Sequence, residues 1–98
     1  MEVLATMIQK VKLYQGQTLT KDNIMTYLNR ARTGYDYFRI DMKGGMYITI
    51  TFFRDNSFDI MTNSRNLSLW RDIEYVKRNR GITILGNLVF NWIRDYNQ

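Results

Sequence analysis

Nine carboxylates, nine arginines and five lysines make up the reactive inventory of a 98-residue chain that has no histidine and no cysteine. Lacking histidine, the chain has no imidazole general base, no Ser-His-Asp arrangement and no imidazole metal ligand. Lacking cysteine, it has no thiolate nucleophile, no thiolate metal site and no disulfide framework. The acids that remain for chemistry are Asp36, Asp41, Asp55 and Asp59 mid-chain, with Asp72, Glu74 and Asp95 further on. Such groups could converge on a divalent cation or flank a glycosidic bond. No pair has a spacing that demands either, and Asp55 is accounted for by a turn. Gly44-Gly45 lacks the spacing and the strand-to-helix setting of a phosphate-cradling loop. The expectation is a protein with no catalytic residues, no metal and no cofactor, one that acts by binding.

The charge balance bears on what is bound. Fourteen Lys and Arg against nine Asp and Glu give a net charge of +5 and a pI near 9.7. Arginine, the more abundant cation, suits planar and bidentate contact with phosphate or carboxylate. A basic chain favours DNA or RNA, an acidic protein surface or a nucleoprotein complex. No window holds the roughly 20 apolar residues of a membrane span, and the first twelve residues carry no apolar run of signal-peptide length. A cytoplasmic protein with no membrane partner is expected. The absence of repeats, low-complexity stretches and Pro/Gly/Ser linkers points to one domain over residues 1–98.

The elements that must position these groups follow from periodicity. Leu4, Ile8 and Val11, with Met7 beside them, recur at helical spacing and predict an amphipathic helix over Glu2 to Tyr14. Thr20 is an N-cap for a second helix, with Leu19 and Ile24 as its hydrophobic staple and Asp22 in the first turn. Ile24, Leu28 and Ala31 form the buried stripe, and Gly34 is the expected stop.

The pattern then alternates with period two. Phe38, Ile40 and Met42 interleave with Tyr37, Arg39 and Asp41; Ile48, Ile50 and Phe52 interleave with Tyr47, Thr49, Thr51 and Phe53; Phe58 and Ile60 interleave with Asp59 and Met61. These are three strands of an antiparallel meander. A two-residue loop at Gly44-Gly45 would pair Ile48 with Asp41. A three-residue loop, Lys43 to Gly45, pairs Ile40 with Ile48 and Phe38 with Ile50. A one-residue slip turns every side chain over, so the second register is required. The same logic pairs Phe52 with Phe58 and Ile50 with Ile60.

Helical spacing returns in Leu69, Ile73 and Val76, flanked by Trp70 and closed by Gly81. Ile82 to Leu85 reads equally as a short strand or a helix start. From Leu88 onward a helix is favoured, with Leu85, Leu88, Val89, Trp92 and Tyr96 on one face and Phe90 and Ile93 on a second. The order is ααβββαα, an α+β fold whose meander packs helices on one face. The final helix is expected either to cover the other face or to form a homodimer seam through Phe90 and Ile93. An αβββα core also occurs in double-stranded RNA-binding domains and a basic three-stranded sheet in some DNA-binding modules, but no diagnostic motif of either is present and no family is assigned.

Two surfaces are candidates. The outer sheet face displays Tyr37, Arg39, Tyr47 and Thr49, aromatic rings beside arginine that can stack on bases and hold phosphates. The basic stretch of the third helix offers Arg71, Lys77, Arg78 and Arg80. Against that, Arg71, Glu74 and Arg78 at i, i+3 and i+7 also fit a solvated ion-pair row. The reading favoured on sequence is nucleic-acid binding through these groups. The alternative is a protein-binding inhibitor or adaptor, such as a small phage or mobile-element protein that blocks host machinery, with Trp, Tyr and Arg as its anchors.

Overall fold

A computed structural model describes residues 9–12, 19–79 and 81–96. Three antiparallel strands, β2 (Tyr37–Asp41), β3 (Tyr47–Phe52) and β4 (Phe58–Thr62), form the expected meander, flanked by α1 (Lys21–Thr33), α2 (Leu67–Asn79) and α3 (Ile82–Tyr96). A short strand, β1 (Gln9–Lys12), pairs in parallel with β2 and makes the sheet order β1-β2-β3-β4.

That strand corrects the helix expected over Glu2 to Tyr14, the rest of which lies outside the described residues. The cause is the edge of β2. Its alternate N–H and C=O groups bond β3, and the others would face solvent on an open edge. Pairing Val11 with Ile40 and Lys10 with Arg39 satisfies that edge, and this tertiary pairing overrides the helical spacing of Leu4, Ile8 and Val11.

The register within the meander is the one the alternation requires: Phe38 faces Ile50, Ile40 faces Ile48, Ile50 faces Ile60 and Phe52 faces Phe58. The β2–β3 turn is one short helical turn over Lys43–Gly45, with Gly44 (φ 74) and Gly45 (φ 81) both left-handed. Met42 N–H donates to Met46 O at 2.8 Å and closes it. A side chain at either glycine would be strained, which is why two glycines stand there. In the β3–β4 turn Asn56 takes the left-handed position (φ 69), and Asp55 Oδ1 accepts from Ser57 N–H at 3.0 Å.

Helix α1 begins as the sequence indicates. Thr20 Oγ1 accepts from Asn23 N–H at 3.1 Å, and Leu19 and Ile24 are both buried. Its end differs in detail. Gly34 has φ −90, and the left-handed residue is the next one, Tyr35 (φ 53). Asp36 N–H donates to Ala31 O and Tyr35 N–H to Arg32 O, the paired bonds of a Schellman closure. A tyrosine where glycine is favoured is locally strained.

The core is one cluster joining the inward residues of β2, β3 and β4 to Ile24, Leu28 and Ala31 of α1, Leu69, Ile73 and Val76 of α2, and Leu85, Val89 and Trp92 of α3. Helix α1 packs on β2 and β3, α2 on β4, and α3 across α1 and α2. All three therefore lie on the same side of the sheet. The ambiguous segment at Ile82 is helical from its first residue, because Leu85 is needed in this helical layer. The final helix does not cover the outer sheet face. Trp92 crosses from α3 to α2, where its Nε1–H donates to Asp72 Oδ2 at 3.0 Å.

The α1–α3 contact depends on Gly86, which is buried. A Cβ there would overlap Met25 Sδ and touch Leu28 Cδ1. Replacing glycine by alanine gains about 1 kcal/mol of helix propensity, while the flexible thioether of Met25 swings aside. A β-branched side chain has no such escape. Gly86→Val is expected to destabilise the fold by about 2–3 kcal/mol and Gly86→Ala by less than about 1 kcal/mol, read by urea denaturation of both variants.

Candidate functional site

The outer sheet face collects the expected residues. Tyr37 lies opposite Thr51, Arg39 opposite Thr49, and Asp41 opposite Tyr47, with Asp59 and Met61 continuing the rows on β4. From Tyr47 to Phe53 the face runs about 20 Å, and no described element covers it. Met61 and Phe53 are the most exposed of its large side chains, at 56% and 47%.

Two cations at this face are already engaged. Arg39 Nε lies 2.9 Å from Asp41 Oδ1, and its guanidinium sits 4.3 Å from the Tyr47 ring centroid. Lys77 of α2 reaches round the β4 edge to Asp59, Nζ to Oδ1 3.1 Å. Arg39 and Lys77 thus each meet a carboxylate on this face. Tyr47 is held in place by its backbone: its N–H donates to Asn63 Oδ1 at 2.9 Å and its C=O accepts from Thr62 Oγ1 at 2.7 Å. At the far end of the sheet Arg54 lies 4.8 Å over the ring of Tyr35, an exposed pair that sequence reasoning missed because the strained turn at Tyr35 creates it.

Asp36 belongs to the frame of this end. Its Oδ1 accepts from Tyr37 N–H at 2.8 Å, and its Oδ2 is buried with no partner. Three further acids also have structural occupations: Asp72 holds Trp92, Asp55 shapes a turn and Asp95 pairs Arg94 at 2.9 Å. That exposed pair raises the pKa of Arg94 and lowers that of Asp95, chiefly through their shared hydrogen bond. Tyr96 is pushed up by burial first, with Asp72 and Asp95 adding to it. Among the described residues no three acids gather where a metal ion could be held.

The second surface is the exposed side of α2. The ion-pair row expected from Arg71, Glu74 and Arg78 does not form; among the described residues none of the three is in an ion pair, and α2 pairs through Lys77 instead. The row lines a shallow open groove together with Leu67 and Trp70. These five positions continue one helical line on the side opposite Leu69, Ile73 and Val76, so the signal was present in the sequence as the spacing 67, 70, 71, 74, 78. Leu67 is 71% exposed, and Tyr75 beside the groove 53%.

The groove is built on fixed parts. Asn66 caps α2, its Oδ1 accepting from Leu69 N–H at 3.1 Å. Trp70 Nε1–H donates to Ser64 O at 2.8 Å, which locks the indole that floors the groove. Of the remaining expected site residues, Arg80 lies outside the described residues. Phe90 and Ile93 are half-buried against the chain's own core, with Lys21 Nζ 5.4 Å over the Phe90 ring.

No helix among the described residues is long and apolar enough to cross a membrane. No family model, no curated protein and no solved structure matches the chain.

The two acids on the sheet decide its charge, and this can be measured. Replacing Asp41→Asn and Asp59→Asn together leaves Arg39 and Lys77 uncompensated at the cost of one half-buried pair and one largely exposed pair, the latter worth at most about 1 kcal/mol. The double variant is expected to bind a labelled single-stranded oligonucleotide at least tenfold more tightly than the parent at low salt, with the gain erased as salt rises. Fluorescence anisotropy at about 50 and 200 mM salt checks this.

Proposed function

We propose that this domain is a non-catalytic protein-binding module, of the inhibitor or adaptor kind, with its contact surface centred on the exposed side of α2. The observation that carries this reading is the interleaving of charge. A surface that tracks a phosphate backbone needs cations in succession without opposing acids. Here Glu74 stands between Arg71 and Arg78 in the groove, and Asp41 and Asp59 partner Arg39 and Lys77 on the sheet.

What α2 offers instead is the composition of a protein contact. Leu67, Trp70 and Tyr75 supply apolar and aromatic area, and two arginines without ion pairs among the described residues flank it. Trp, Tyr and Arg are the side chains that carry most binding energy at such interfaces. A large exposed aliphatic such as Leu67 gains nothing from phosphate but gains from a protein partner.

Nucleic-acid binding is the second reading. The β1 register favours it by setting Lys10 beside Arg39 and Lys12 beside Asp41 in the ladder, which adds two basic residues to that edge of the sheet.

Affinity capture separates the two. The tagged full chain is incubated with nuclease-treated lysate of its native source, in parallel with the Leu67→Asp/Arg71→Glu variant, whose changes are both exposed and leave the core intact. The expected result is a stoichiometric protein retained by the parent and lost by the variant. Recovery of nucleic acid alone from untreated lysate, with no protein surviving nuclease, would replace this reading with the second.

A further inference from the structure

We infer that the α2 groove recognises an acidic segment of its partner in a set order: a large apolar side chain, a carboxylate, a non-acidic residue, then a second carboxylate. The inference rests on the protein-binding reading and names the chemistry that reading requires.

The order comes from the helix. Leu67 and Trp70 form the apolar end of the groove, Arg71 follows, Glu74 stands at the middle, and Arg78 closes it. Along the helix axis Arg71 lies about 6 Å beyond Leu67, and Arg78 about 10 Å beyond Arg71. Neither arginine is in an ion pair among the described residues, so each guanidinium is available to a carboxylate from outside. In an extended segment alternate side chains face the groove about 7 Å apart, so carboxylates four residues apart, about 13 Å, reach the two long guanidinium side chains and the one groove-facing residue between them meets Glu74. Between them the segment passes Glu74. A third acid at that point would meet like charge, whereas a lysine, glutamine or asparagine would donate to Glu74 Oε. Glu74 therefore acts against uniformly anionic ligands, which separates this site from one that would accept any polyanion.

The apolar anchor has a prepared place. Trp70 is held by its bond to Ser64 O, and Leu67 at 71% exposure has most of its surface unspent. A leucine or phenylalanine of the partner against these two side chains fixes the direction in which the acidic segment runs.

The test is selection of a displayed library of random decapeptides on the full-length protein, with counter-selection on the Leu67→Asp/Arg71→Glu variant. The expected outcome is enrichment of peptides with one large apolar residue and two carboxylates separated by a non-acidic position. A selected peptide, labelled and followed by anisotropy, should weaken at least tenfold on Arg71→Ala, on Trp70→Ala, or when its central residue becomes Glu. The Glu74→Lys variant should reverse that last preference and favour the peptide with central Glu, an effect that loss of packing would not produce. Peptides without carboxylates, no enrichment over the counter-selection, or equal competition by a single-stranded oligonucleotide would each overturn the inference. If capture from lysate still depends on Leu67 and Arg71 while selected peptides are not acidic, the recognition order fails and the protein-binding reading stands. If capture is also indifferent to those residues, both fall.

Discussion

One residue of register in the β2–β3 hairpin decides which side of this molecule is core and which is surface. The Lys43–Gly45 turn, with two left-handed glycines, sets Phe38 against Ile50 and Ile40 against Ile48. A slip of one position would put Phe38 and Ile40 of β2 on the side opposite Ile48, Ile50 and Ile60 and turn Arg39 and Asp41 inward. At about 2 kcal/mol per large apolar side chain the two lost burials come to roughly 4 kcal/mol, a large share of the net stability of an ordinary domain. Every other feature inherits this choice. The helices pack where the apolar rows are, and the tyrosines and ion pairs lie where they are not.

The helical layer depends on close approach in the same way. Buried Gly86 lets α3 approach α1, and the Trp92–Asp72 bond ties it to α2. With α3 held in that layer, α2 is left at the side of the molecule, where its outer line of residues is open. The sheet face and the α2 groove differ in how their charges are satisfied. On the sheet, Arg39 and Lys77 are neutralised within the chain. In the groove, Arg71 and Arg78 have no ion-pair partner among the described residues. Binding energy is more readily gained where charge has not already been compensated.

Most of the fold was legible because its signals are local. Alternation gave the strands, the turn length gave the register, and Thr20 with Leu19 and Ile24 marked the start of α1. The main departure comes from long-range pairing. Gln9–Lys12 carries helical spacing, and only the open edge of β2 turns it into a strand. A smaller one is local: Gly34 is the expected stop of α1, and the left-handed closing residue falls one position later, at Tyr35. For the binding surfaces, sequence spacing correctly placed Tyr37, Arg39, Tyr47 and Thr49 on one face. It could not show that Asp41 and Asp59 neutralise that face, because the Asp59–Lys77 pair joins a strand to a helix eighteen residues later in the chain. The groove was written into the spacing of Leu67, Trp70, Arg71, Glu74 and Arg78. Spacing alone, however, does not reveal that these arginines stay out of the ion-pair row that the same positions would allow.

The central claim is that contact is made by α2 and not by the sheet. Site-specific photocrosslinking in cells of the native source tests it whatever the partner turns out to be. A photoreactive phenylalanine analogue is placed at Tyr75, beside the groove, and in a second protein at Tyr37, on the sheet. The account predicts a discrete, nuclease-resistant protein adduct from position 75 and none from position 37. Adducts from position 37 alone, or adducts that nuclease removes, would contradict it.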